Sequence, residues 1–281
     1  MNLNAEIYLY RLKLIRPLQQ SLLHENLTRD QILNIAIDEK PLSDSRPGVY
    51  WHLGNIERID PNIGSLAFGK TSKRKKDVFD FDKREFIQEG DINSPFTKIY
   101  FNAKLGIIGI VKKSKVAPVV NDIARKFAKL LQGTSVIRRN EIIIHLDEIK
   151  DPTNFIAELS EAERIYKFTF TFTKPNPEDI DIELQKPLEK YAELANAESG
   201  KTEIDGKNLS SPTLVKVSRS VASTGNDAEA KILKKGSKKP IKTRMRGNPA
   251  RVTAVYGEDI ESVSGKFYGE YSRIRGPNEV V

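Results

Sequence analysis

Residues 119–131, VVNDIARKFAKLL, and residues 165–173, IYKFTFTFT, decide the fold class. In the first, Val119, Val120, Ile123, Phe127, Leu130 and Leu131 recur at helical spacing, and Gly133 stands where the helix would close. In the second, Tyr166, Phe168, Phe170 and Phe172 alternate with Lys167, Thr169, Thr171 and Thr173, the period of a strand with one buried face. The aromatic side is therefore expected to be core rather than a platform for stacking bases. Between the two lie a strand pattern over 136–146 and a short helix over 152–159 that opens on Pro152. Strand patterns over 97–102 and 106–112 precede them as a hairpin. The order hairpin, helix, strand, helix, strand predicts an α+β fold, with mixed or antiparallel sheet and helices packed on one face.

Outward from this centre, residues 7–15 read as a strand stopped by Pro17. Residues 27–37 read as a helix, with Thr28 and Gln31 spaced as a capping box. Residues 41–47, rich in Pro, Ser and Asp, read as a linker, and 49–59, 65–70 and 78–86 as strands. Beyond a boundary at Pro175-Asn176-Pro177, residues 187–197 read as a helix whose apolar face is Leu188, Tyr191, Leu194 and Ala195. Residues 199–211 read as a polar loop and 212–223 as a helix. Residues 228–234 and 241–246, turning at Gly236, read as a β-hairpin, and 260–274 as a last helix. Three regions result: 1–113, mostly β; 114–180, the α+β part of the same core; and 181–281, a C-terminal helical region with the hairpin.

The apolar periodicity is enough for a packed core, and no apolar run approaches the ~20 residues of a membrane-spanning helix. The first ten residues include Glu6 and lack the basic-then-apolar plan of a signal peptide. The chain has no cysteine, which excludes disulfides, thiolate metal sites and cysteine catalysis. A cytoplasmic location without membrane association is expected.

Charge is distributed unevenly. Lys231, Lys234, Lys235, Lys238, Lys239, Lys242, Arg244, Arg246 and Arg251 fall in one window that holds no acid, whereas the whole chain carries +8. The remainder is therefore close to neutral. A second run, Lys73, Arg74, Lys75 and Lys76, follows Lys70. Both runs fall where hairpin tips are expected, and such tips can grip phosphates along a duplex. Lysine predominates, which favours point-charge contact with phosphate over base reading. These thirteen residues are the candidate nucleic-acid-binding set, and DNA or RNA is the expected partner class.

Residues 64–71, GSLAFGKT, match the phosphate-binding pattern G-x-x-x-x-G-K-[ST] at every required position. Their context argues against an NTP site. A turn, Asp60-Pro61-Asn62, precedes them, and no apolar residue follows to seat the helix whose N-terminal amides would bind phosphate. Strand alternation would bring Glu141, His145 and Asp147 to one face, a candidate metal-dependent nuclease site. Glu148-Ile149-Lys150 and Glu229-Ala230-Lys231 each match the E-x-K element of such nucleases, without a convincing upstream Asp. No active site is strongly specified, and neither a cofactor nor a metal is expected.

Residues 64–76 (GSLAFGKTSKRKK), 114–131 (SKVAPVVNDIARKFAKLL) and 168–179 (FTFTFTKPNPED) together resemble an uncharacterised family of bacterial proteins associated with mobile or anti-phage defence loci. The resemblance covers about half the chain and brings no catalytic residues with it. It implies a nucleic-acid-binding recognition subunit or effector of a defence system. Other readings are the nuclease at Glu141, His145 and Asp147, the NTP site at Gly64–Thr71, and an adaptor whose hairpin meets an acidic protein. A partner subunit from a neighbouring gene and self-association both remain open.

Overall fold

A computed structural model describes residues 4–16, 27–173, 184–245, 249–255 and 257–276. Its elements are β1 (Asn4–Ile15), α1 (Arg29–Asp38), β2 (Leu42–Arg46), β3 (Val49–Arg58), β4 (Ile63–Asp80), β5 (Glu85–Asn93), β6 (Phe96–Asn102) and β7 (Ile107–Val111). Then come α2 (Val120–Gln132), α3 (Ser135–Arg139), β8 (Ile143–Glu148), α4 (Thr153–Glu161), β9 (Ala162–Thr173), α5 (Gln185–Leu194) and β10 (Ser199–Asp205). The last are α6 (Ser211–Ser223), β11 (Ala228–Lys234), β12 (Ile241–Arg244), β13 (Arg251–Val255) and α7 (Ile260–Arg275). The α+β class is as expected. The Pro175–Pro177 boundary and Arg246 lie outside the described residues.

Two antiparallel sheets carry the fold. The larger runs β13-β1-β7-β6-β4-β3-β2, with β5 paired to β4 and β8 to β1. The smaller runs β10-β9-β11-β12. Along one edge of β1, β13 pairs with Asn4–Tyr8 and β8 with Tyr10–Ile15. They meet at Leu9, whose N–H donates to Ala250 O at 2.9 Å and whose carbonyl accepts from Ile149 N at 3.0 Å.

Burial divides the sheets into layers. Tyr10, Leu12 and Leu14 face a core shared with α1, α2 and α3, where Phe68 stacks on Trp51 and meets Phe127 edge-on. Ile7 and Leu9 face the other way, into a second core filled by α4, α6, α7 and the inner face of the smaller sheet. There α7 comes so close that a Cβ on Gly109 of β7 would lie 2.1 Å from the Phe267 ring, so only glycine fits. Of the expected aromatic stripe, Phe168 and Phe170 belong to this core, 0% and 4% exposed, while Phe172 is buried against Gly200 and Tyr166 is half-buried. Among the described residues no helix is long and apolar enough to cross a membrane.

Several local expectations are corrected. Residues 136–146 are not one strand: α3 forms first, because the Glu39 carboxylate accepts from Ser135 N at 2.7 Å and Val136 N at 3.0 Å and supplies its N-terminal cap. Residues 41–47 and 199–211 contain the edge strands β2 and β10, whose polar sequences suit an edge facing solvent. Strands 65–70 and 78–86 are replaced by one long strand, β4, and its partner β5. On α5, Tyr191 and Leu194 are exposed, and the helix instead buries Gln185 and Ala192.

Candidate nucleic-acid interface

The smaller sheet presents the basic hairpin. β11 and β12 pair as expected, with Lys231 opposite Lys242 and Glu229 opposite Arg244. Side chains opposite one another in an antiparallel pair share a face, so Glu229 sits among the hairpin's own cations. It meets Lys242 at 2.8 Å and Arg244 at 3.4 Å. The hydrogen bond from Lys242 is the main cause holding the Glu229 carboxyl below its usual range. Lys234 is likewise engaged, at 3.1 Å from Glu158 on α4. A hydrogen bond from Thr243 and then that lysine lower the Glu158 pKa.

The window is therefore not one free positive element. Arg251 belongs to β13 in the larger sheet and pairs with Glu6 at 2.8 Å. Four cations form no ion pair with any described residue: Lys231 on the strand, and Lys235, Lys238 and Lys239 in the turn. The turn reverses at Gly236 (φ 75°), and residues 234–240 are all exposed.

The first basic run is placed differently from expectation. Lys73, Arg74, Lys75 and Lys76 lie within β4, not at a tip. There β4 has left β3 and β6 and pairs only with β5, forming a two-stranded ribbon. Its register sets Arg74 opposite Asp91 and Lys76 opposite Glu89. The ribbon turns at residues 81–84, where Phe79 meets Phe81 and Phe86 edge-on at 5.2 and 5.1 Å, and Phe81 and Phe86 are 84% and 80% exposed. Asp77, Asp80, Asp82 and Glu85 surround this turn against Lys83 and Arg84. Acidic and aromatic, it is a poor match for phosphate.

The other candidate chemistry does not assemble. Gly64–Thr71 is the interior of β4, between β3 and β6. Lys70 Nζ donates to Val116 O at 2.7 Å and lies over the Trp51 ring, while Thr71 Oγ1 bonds His52 Nε2 at 2.7 Å and Ser94 Oγ at 3.0 Å. Lys70→Ala should therefore leave ATP and GTP binding unchanged at background in a filter or calorimetric assay. A saturable micromolar affinity abolished by that substitution would restore an NTP site. Glu141 lies in the turn before β8, with φ 51°, and not on the strand with His145. Asp147 is engaged by Lys13 at 2.6 Å. Among the described residues no three His, Asp or Glu side chains group as a metal site. Neither a family model nor a curated protein matches the chain.

One basic stretch of sequence escapes a search for lysine runs. Residues 112–139 hold Lys112, Lys113, Lys115, Arg125, Lys126, Lys129, Arg138 and Arg139 against Asp122 alone, a net +7. Here the charges alternate with the apolar positions of α2, so only a windowed charge count would have exposed them.

Proposed function

We propose that this protein binds nucleic acid by setting the β11–β12 turn against backbone phosphates. The observation that carries this is the turn itself. Lys235, Lys238 and Lys239 lie exposed at the end of a stem in which Glu158 holds Lys234 and Glu229 holds Lys242 and Arg244, with Lys231 the one stem cation unpaired among the described residues. Stem charges already compensated gain little from phosphate, whereas the turn lysines have only water and counterions to exchange. The mode is point-charge contact without base reading, so DNA and RNA of any sequence are candidate ligands. The likeness to a defence-associated family makes a recognition or effector role towards foreign nucleic acid the natural setting.

The test is a mobility shift at low salt with duplex and single-stranded DNA and RNA. Reversing Lys235, Lys238 and Lys239 to Glu should weaken binding at least about tenfold, or ~1.4 kcal/mol. Lys242→Gln should weaken it far less. The fold should survive both, because these residues are exposed. Equal losses from the two variants would remove the turn's special role.

A further inference from the structure

The strand β10 is an open edge of the smaller sheet: among the described strands it pairs with β9 alone. Gly206 N donates to Tyr166 O at 2.9 Å and so continues the ladder beyond the pair of Asp205 and Lys167. The side to which a strand's N–H and C=O point alternates along the chain. Gly200, Thr202 and Ile204 therefore bond β9 as Gly206 does, while Ser199, Lys201, Glu203 and Asp205 turn their N–H and C=O to the open side. Thr171, opposite Lys201, agrees: it donates away from β10, to Asp227 O at 2.9 Å. The side chains divide by face. Lys201 and Glu203 share the outer face with Thr171 and Thr169, and Thr202 and Ile204 share the inner face with Phe170 and Phe168.

We propose that this edge joins a second copy of the chain: two β10 strands pair antiparallel about a twofold axis at Thr202, and the smaller sheets of the two copies become one. The strand's own sequence selects this occupant and this register. Residues 199–205, SGKTEID, carry opposite charges on either side of Thr202. With Thr202 facing its own counterpart, Lys201 of each copy stands opposite Glu203 of the other, and both have an outward N–H and C=O to exchange. A centre one residue earlier would set Lys201 against Lys201, and one residue later Glu203 against Glu203. Like charges directly opposite one another destabilise a pair of strands. Lys201 forms no ion pair with any described residue, whereas Glu203 holds Lys167 at 2.6 Å, so in the dimer each Glu203 carboxylate stands between two lysines. On the inner face Ile204, 41% exposed, comes opposite Gly200 of the second copy, over which the Phe172 ring lies. Charged edges ordinarily keep other strands away, above all where a charge points inward. Here the inner positions Gly200, Thr202 and Ile204 are uncharged, and the outer charges are complementary to themselves.

Sedimentation of the full chain, freed of nucleic acid, should show a reversible monomer–dimer equilibrium. Lys201→Glu alone and Glu203→Lys alone each bring like charges together twice, and each should weaken dimerisation about tenfold or more. An equimolar mixture of the two variants restores both opposite-charge pairs and should recover the dimer. The chain has no cysteine, so Thr202→Cys supplies a single thiol. In this register it faces its counterpart at about 4.5 Å between Cα atoms, a separation a disulfide spans. Under a mild oxidant Thr202→Cys should cross-link, and Lys201→Cys should not. The proposal is overturned if the wild type stays monomeric at every concentration, if the single charge reversals leave the dimer unchanged, or if mixing them fails to restore it. Cross-linking through Lys201→Cys and not through Thr202→Cys would equally overturn it. Circular dichroism checks that these substitutions leave the fold intact.

Discussion

Phe170→Ala should lower stability by roughly 3–5 kcal/mol, the usual loss for a buried Phe, and depress the melting temperature by about 10 °C. Phe170 is 4% exposed in the core between the smaller sheet and its helices, with the Phe168 ring 6.1 Å away. The residue next to it is the control. Thr171 lies on the outer face and accepts a hydrogen bond from Asp227 N at 3.0 Å, so Thr171→Ala should cost only about 1 kcal/mol. Denaturant or thermal unfolding followed by circular dichroism reads both. An unchanged melting temperature for Phe170→Ala, together with lost RNA binding, would turn the aromatic stripe into a base-stacking platform.

Asp147→Ala should cost about 3 kcal/mol at neutral pH, the lower end for breaking a buried pair because Asp147 is itself 31% exposed. Its partner Lys13 is fully buried and also donates to Thr173 Oγ1. Burial lowers the Lys13 pKa and Asp147 pulls it back up, while Arg11 and Lys150 push it further down. Without Asp147 the folded-state pKa falls further below the unfolded value of 10.5. Between those two values the unfolded chain binds more protons than the folded one, so stability rises with pH there. The cost of Asp147→Ala should thus shrink as pH is raised towards 10, where buried Lys13 can shed its proton. The double variant Lys13→Met/Asp147→Ala should recover most of the loss, since it leaves no buried charge behind. A cost that is the same at pH 7 and pH 10 would contradict this account of the pair.

Much of the architecture was legible because it rests on local periodicity. The α2 stripe, the Thr/Phe alternation of β9, the capping box at Thr28 and Gln31, and the turn at Gly236 are each written within about a dozen residues, and the structure has all four. The failures fall where a distant residue decides. α3 is capped by Glu39, 96 residues away. β13 exists as a strand by pairing with β1, nearly 250 residues earlier. β10 holds little apolar side chain of its own, and Gly200 makes room for the Phe172 ring.

The candidate site shows the same limit more sharply. Counting charge found the hairpin, but not that Glu158 and Glu229 hold Lys234, Lys242 and Arg244 of its stem. Nor could it place Arg251 in the other sheet beside Glu6. The acids that matched these cations stood outside the window or on its border, and only folding brought them in. In the ribbon, too, only folding brings the return strand β5 into register with the first basic run, with Glu89 opposite Lys76 and Asp91 opposite Arg74.

In the proposed binding mode three turn lysines, Lys235, Lys238 and Lys239, carry the contact with phosphate. The most direct measurement is the salt dependence of nucleic-acid affinity for the wild-type chain and the Lys235/Lys238/Lys239 reversal. Three neutralised duplex phosphates should give a slope of log K against log salt of roughly −2.7, and the reversal should bring that slope close to zero. No binding by the wild type at low salt, or a slope untouched by the reversal, would contradict it.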